Sequence, residues 1–322
     1  MKNYIYPIVI IGLFACSKST TQSGRHDAKM SDIRLKPISE VSLSSIKPKE
    51  NIDLKNIIGL YTGQFETDSI ALNLRMRYRE YDSIQSIQNE EYEYETVFDN
   101  FSKTLTSTEK KYIYKDPLFG TYWFKNGNAI SVFIKKMVGD SVFGTSVCAG
   151  NERDLKGKIV NQNDTFKIEL TEPGDDPYDG KFFLTLNAKS GKMKGQFIPM
   201  AKGRPIKKVT MQSSEFKYDP KAVEWSMDRD FFGKNISLER LVETDVENFS
   251  KHTLRVLRNL IYARHGYSFK MLDIRTFFES YSWYTPVSIN IQNVLTEIEK
   301  DNIALIKRYE AYAEDYYDEF GR

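Results

Sequence analysis

The strongest constraint in this chain is a period of two. Between residues 130 and 186, apolar side chains occupy every second position in three short runs. Ile130, Val132 and Ile134 alternate with Ser131, Phe133 and Lys135. Phe166, Ile168 and Leu170 alternate with Lys167 and Glu169, and Phe182, Leu184 and Leu186 alternate with Phe183 and Thr185. Successive side chains of a strand point to opposite faces, so this spacing reads as half-buried strands. Turn-forming clusters separate the runs: Asn126-Gly127-Asn128, Val138-Gly139-Asp140, Asn161-Gln162-Asn163-Asp164 and Ser190-Gly191-Lys192. Gly63, Gly144, Gly157 and Gly195 recur inside or beside the runs, as glycines do at bulges and in tightly coiled sheets. Residues 51–212 are therefore expected to form an antiparallel all-β meander, a lipocalin-like barrel first and a sandwich second. Gly59-Leu60-Tyr61 leading to Ile70, Leu72 and Leu74 faintly echoes Gly120-Thr121-Tyr122 leading to Ile130, Val132 and Ile134, too faintly for a repeat architecture. The alternation of acidic and aromatic residues from Glu90 to Glu95 reads as one exposed strand face.

The pattern changes after residue 222. Ser250 is a fitting N-cap for a helix from Lys251 to His265, and Gly266 follows it as a stop. Asp273 to Tyr281 reads as a short second helix. Thr296 caps a third, with Glu297 and Glu299 in its first turn, running to about Ala313. A length of 322 residues suits two domains. The expected fold is α+β in separate domains: the β domain, then a small all-α domain over residues 222–312, with 313–322 as a frayed tail.

The first long helix contains Tyr262-Ala263-Arg264-His265-Gly266. With its flanks, from Leu254 to Phe269, this segment closely resembles the YARHG domain, a small bacterial extracellular module named for that pentapeptide. The resemblance continues through Phe277-Phe278, Trp283-Tyr284 and Asn302-Ile303 and covers roughly residues 225–312. It implies an envelope-facing module and carries no settled activity. Helical spacing adds a physical reading of its own. Leu254, Leu257, Leu260 and Ile261 form one apolar stripe, Arg264 falls in its middle, and His265 falls at its edge. A guanidinium drawn into a core must be paired. The third helix offers Glu299 near its apolar face, so an Arg264–Glu299 ion pair is expected, with Asn302 taking remaining donors. Two roles then stand side by side. Tyr262, Arg264 and His265 form a ligand site, the fork gripping a carboxylate and the ring stacking on sugar or amide. Alternatively, Tyr262, Arg264, His265, Gly266, Glu299 and Asn302 form a structural lock of cap, buried pair and helix stop.

The N-terminus sets the compartment. Met1-Lys2-Asn3 is a short positive region, and Tyr4 to Leu13 is apolar but too short to span a bilayer. It ends in Leu13-Phe14-Ala15-Cys16, which looks like a lipobox. Residues 1–15 thus read as a signal peptide and Cys16 as the lipid attachment, an anchor in which each buried methylene contributes about 0.8 kcal/mol. Residues 16–50 are polar and aperiodic and read as a tether with an end-to-end distance of about 30 Å. Ser17 rather than Asp follows the lipidated Cys, which favours the outer membrane, facing periplasm or surface. With Cys16 acylated, Cys148 is the sole free thiol, placed as a small buried strand residue.

Composition excludes several classes. Forty-six basic and 44 acidic residues leave a net charge of +2, no footprint for nucleic acid. Three histidines, His26, His252 and His265, do not share a metal-ligand spacing, so no metal is expected. Glu172, Asp175, Asp176 and Asp179 in a Gly/Pro loop offer oxygen ligands for a cation but lack the EF-hand spacing and read first as a solvated hairpin turn. The basic cluster Lys202, Arg204, Lys207 and Lys208 reads first as a strand edge, with anionic lipid as the other reading. No hydrolase or nucleotide-binding motif occurs, so neither catalytic residues nor a cofactor is assigned. The chain reads as an envelope lipoprotein with a binding or structural role, contacting peptidoglycan or a partner protein through its helical part. The alternative is a lipocalin-like carrier of an apolar molecule.

Overall fold

The computed structural model describes residues 57–88, 94–115, 122–124, 127–162, 165–222, 228 and 232–313. Residues 1–56, on which the expected signal peptide, lipidated Cys16 and tether fall, and residues 314–322, most of the expected frayed tail, lie outside the described residues.

Strand β1 (Gly59–Phe65) is followed by helices α1 (Ser69–Gln88) and α2 (Tyr94–Lys103) and a short hairpin of β2 (Ile113–Lys115) and β3 (Tyr122–Phe124). A meander then runs through β4 (Ala129–Val138), β5 (Ser141–Cys148), β6 (Asn151–Gln162), β7 (Thr165–Thr171), β8 (Gly180–Asn187), β9 (Lys192–Pro199) and β10 (Lys207–Ser214). Eight of these strands close into an antiparallel barrel in the order β1-β10-β9-β8-β7-β6-β5-β4. The barrel, not the sandwich, is the form adopted.

The period of two maps directly onto the barrel wall. Phe166, Ile168 and Leu170 point inward from β7, and Phe182, Leu184 and Leu186 from β8, while Phe183 stays exposed. Nineteen inward residues, from Ile57 to Met211, form one contiguous apolar cluster, each at most 7% exposed. An eight-stranded barrel has an interior just wide enough for side chains to fill, and here the Phe182 and Phe197 rings lie 4.7 Å apart within it. The strands coil tightly where glycine allows it. A Cβ on Gly157 would sit 1.7 Å from the Glu169 carbonyl oxygen, and one on Gly195 1.9 Å from that of Phe183. A bulge between Ile134 and Lys136 shifts the β4–β5 register.

The all-β expectation for residues 51–212 needs correction. Helices α1 and α2 are inserted between the first two strands of the meander. Ile70, Leu72 and Leu74 mimic strand alternation, but Ala71, Leu74 and Tyr78 supply a helical spacing, and that face is the one buried. Leu72 is turned outward. Leu74 and Tyr78 pack with Phe98, Phe101 and Phe124 into a small separate core. Of the acidic–aromatic stretch, residues 90–93 lie outside the described residues, and Tyr94 opens a helix rather than continuing a strand.

After β10 the chain becomes helical: α3 (Glu243–Val246), α4 (Lys251–Arg264), α5 (Leu272–Glu279) and α6 (Glu297–Tyr312). Ser250 caps α4 by accepting from the Thr253 N–H at 3.2 Å. Thr296 caps α6 through a capping box with Glu299. The expected second helix shifts by one residue at its start and ends two residues early. Leu254, Leu257, Leu260 and Ile261 of α4 pack against Ile303 and Ile306 of α6 and an aromatic layer that includes Phe269 and Phe278, stacked at 5.1 Å. Two backbone groups at one end of the barrel bond to this region. Ala129 N–H donates to Glu279 Oε1 at 3.1 Å, and Gly150 N–H donates to Ser268 Oγ at 2.9 Å. Burial pushes the Glu279 carboxyl up to about 8. It likewise pushes the nearby Cys148 thiol up to about 12, which leaves it an inert protonated side chain. No helix among the described residues is long and apolar enough to cross a membrane.

Candidate functional site

Helix α4 ends in the pentapeptide, and each of its residues is turned in a different direction by the 100° step. Arg264 goes to the core and is 0% exposed. Its guanidinium forms a fork on Asp228, Nη2 to Oδ1 at 2.8 Å and Nη1 to Oδ2 at 3.1 Å. Ser237 Oγ accepts from the same Nη1 at 3.0 Å. Asp228 is itself fully buried and also takes the Ile236 N–H at 2.6 Å.

His265, one step further, faces a different carboxylate. Its Nε2–H donates to Glu299, lying 2.9 and 3.0 Å from the two oxygens. Tyr218 stacks on the imidazole at 4.0 Å and donates its hydroxyl to Glu299 Oε1 at 2.7 Å. Glu299 also receives the Thr296 N–H at 2.9 Å as part of the α6 cap, where the helix dipole favours a negative charge. Burial pushes the Glu299 carboxyl up, but the bonds from His265, Thr296 and Tyr218 outweigh it and hold the group below the usual range. Tyr218, buried and bonded to that carboxylate, is pushed well above an ordinary phenol. Gly266 takes φ +70° and ends the helix, as its place after the last turn requires.

The expected Arg264–Glu299 pair is therefore wrong, although both side chains are buried as the helical spacing implies. Two basic side chains and two carboxylates meet here among the described residues, and the pairing is Arg264 with Asp228 and His265 with Glu299. The reason is direction. Glu299 is fixed at the start of α6, which His265 faces, while Arg264 points one step round towards residues 228–237. Asn302 does not serve the guanidinium either. It accepts from Leu241 N–H at 2.9 Å and donates to the Ile236 and Glu239 carbonyls at 2.8 and 2.7 Å, tying α6 to the irregular segment before α3.

Tyr262 alone of the polar motif residues faces outward. It is half-buried and lines an open cleft of about 340 Å³. Tyr267 and Phe269 continue its aromatic wall, with Tyr262 and Tyr267 centroids 6.0 Å apart. Arg255, Arg258 and Lys270 supply positive charge, and Asn259, Asn290 and Gln292 supply amides. The two arginines are oriented rather than loose. Arg255 forms a fork on Asp273 at 2.7 and 3.2 Å, and Arg258 one on Glu310 at 2.7 and 3.1 Å. Arg255, Arg258 and Tyr262 stand at i, i+3 and i+7 of one helix, a face the sequence displays once the apolar stripe is subtracted. Sequence reasoning placed the ligand site on Tyr262, Arg264 and His265, of which only Tyr262 lines the cleft, and passed over these two arginines. It also missed Asp228 and Tyr218, which lie in a segment without periodicity.

The acidic loop between β7 and β8 is tied up internally. Asp179 receives Arg153 and the Gly174 and Asp176 N–H groups, and Glu172 receives Ser146 and Gly180. Among the described residues no group of three or more metal-ligating side chains is assembled.

A family model for the YARHG domain matches residues 230–311. No curated protein and no solved structure matches the chain.

Proposed function

We propose that the protein is a non-catalytic cell-envelope lipoprotein that binds its ligand in the cleft of the helical domain. The reading rests on one observation: Tyr262 lines the cleft beside Arg255 and Arg258, while Arg264 and His265 are paired inside. The YARHG match at residues 230–311 supports an envelope address. In this reading residues 1–15 are removed, Cys16 carries the lipid, and residues 16–50 tether a β domain (51–212) and a helical domain (222–312) at the outer membrane.

Aromatic walls, guanidinium groups and amides together suit a ligand bearing carboxylates and peptide bonds. Peptidoglycan stem peptides have that chemistry, and so does an acidic segment of a partner protein. Each guanidinium has five N–H donors and its intramolecular fork uses two of them, so donors remain for a ligand. Arg264, His265, Gly266, Glu299 and Asn302 take the structural role in this division. The carrier reading has the right barrel topology, but nineteen packed inward side chains leave an apolar guest little room.

Co-sedimentation of the protein with isolated peptidoglycan sacculi tests the proposal. Wild type is expected in the pellet, and Tyr262→Ala and Arg258→Ala are expected in the supernatant with unchanged folding. Wild type that stays in the supernatant, with no acidic peptide competing for the cleft by calorimetry, would remove the binding role.

A further inference from the structure

The barrel carries a second surface on its outer wall. Residues 129–214 hold fourteen Lys and Arg against nine Asp and Glu, although the whole chain is at +2. Four of those nine carboxylates are gathered in the β7–β8 loop, away from the wall's middle. Strand register then spreads the lysines over adjoining rungs. Lys156, Thr171 and Lys181 stand side by side across β6, β7 and β8. The next rung runs Lys158, Glu169, Phe183, Gln196, Lys208. The third runs Lys167, Thr185, Lys194, Thr210. All six lysines on these rungs are exposed, and Glu169 is the single carboxylate among them.

Like charges on this wall do not touch. Lysines two strands apart are separated by roughly 9.6 Å, beyond the Debye length of about 8 Å at physiological salt, so their mutual repulsion is largely screened while a layer of phosphates brought against the wall meets each of them within that length. Phe183 lies at the centre, 38% exposed, with Lys167, Lys181 and Lys194 on neighbouring positions. An aromatic ring with Glu169 and Gln196 directly across from it and lysines on the diagonal positions suits the boundary between headgroups and acyl chains. The ring enters the apolar side, and the long amines reach back to phosphate.

We propose that this wall docks on an anionic lipid surface, with the lysines at headgroup phosphates and Phe183 in the interface. Charge complementarity argues for that occupant, and so does the lipobox. Forty residues separate Cys16 from Ile57, a span of up to about 130 Å when extended, so any face of the barrel can reach the bilayer that holds the anchor. Docking by this wall selects one orientation, with the remaining faces of the molecule turned to the envelope space.

The full chain with Cys16→Ser, which removes the acyl anchor, is sedimented with vesicles of phosphatidylcholine alone or mixed with phosphatidylglycerol. Binding is expected only to the mixed vesicles, and it is expected to vanish near 1 M salt, where the Debye length is about 3 Å. Each lysine near an anionic leaflet contributes about fivefold in partitioning. Lys167→Glu with Lys194→Glu should therefore weaken binding more than about tenfold, with Lys167→Gln and Lys194→Gln giving a smaller loss should the reversal impair folding. Phe183→Ser should weaken it less, and Tyr262→Ala not at all. Equal binding to neutral vesicles, retention in both double variants, or binding to soluble polyphosphate but not to vesicles would overturn the proposal.

Discussion

The barrel and the helical region are held together by different physics. The barrel interior is apolar throughout its nineteen-residue cluster, and the buried carboxylates beside it are held by a pinned loop, with Ser131 Oγ on β4 left without a partner among the described residues. The helical region has an apolar core of similar size but also closes around a buried ion pair, Arg264–Asp228, and a buried hydrogen-bonded pair, His265–Glu299. Apolar burial is forgiving: volume lost costs in proportion to what is removed. A buried pair is unforgiving, because deleting one partner strands the other in a medium that cannot solvate it. The contrast predicts that equal-sized insults are felt unequally in the two regions.

The largest effect is expected from Arg264→Ala, which leaves Asp228 buried without its fork. It should destabilise the helical region by about 3–5 kcal/mol, while Arg264→Met, which refills the vacated volume and leaves no cavity, should cost less. Hydrogen exchange followed by mass spectrometry reads both regions at once. Peptides from α4 should lose protection and peptides from β8 should keep it; equal loss in both would mean that the two regions unfold as one. In the barrel, Leu184→Ala removes a fully packed side chain and should cost about 2–5 kcal/mol, with the opposite exchange pattern.

Where the two regions meet, Glu279 gives a pH-dependent handle. Its folded carboxyl is raised from 4.5 to about 8 by burial, with Arg275 and the Ala129 N–H opposing. A raised carboxyl contributes stability that is complete below the unfolded value and lost as pH climbs through the folded one. Stability should therefore fall between pH 4.5 and about 8. Glu279→Gln, which keeps the oxygen that accepts from Ala129, should abolish that fall and be more stable than wild type by about 5 kcal/mol at pH 9. Thermal unfolding across pH checks it, and a variant with the same pH profile as wild type would refute it. The smallest effect belongs to the α4 cap: Ser250→Ala should cost about 1 kcal/mol in urea unfolding and shift only the helical region.

The same contrast explains what the sequence made legible. Phe182, Leu184 and Leu186 announce their shared face by spacing alone, and the turns between strands limit the ways to connect them, so the barrel followed from local signals. Ser250, Thr296 and Gly266 fixed the helix ends for the same reason. The inserted helices escaped because Ile70, Leu72 and Leu74 carry both periods at once, and only tertiary packing on Phe98 and Phe101 decides between them. The burial of Arg264 was readable from its stripe. Its partner was not, because two basic side chains and two carboxylates permit more than one pairing and residue 228 stands 36 positions away. Tyr218 and Asp228 lie ahead of the matched YARHG segment, which holds Glu299 and Ser237 but not these two partners of its motif.

In the proposed function the pentapeptide divides into one ligand-facing residue, Tyr262, and a buried remainder. Comparing Tyr262→Ala with wild type in both sacculus co-sedimentation and thermal unfolding tests that division directly. The expected result is an unfolding midpoint close to wild type together with loss of the pelleted fraction. Wild-type pelleting by Tyr262→Ala, or a collapse in its stability as deep as that of Arg264→Ala, would contradict it.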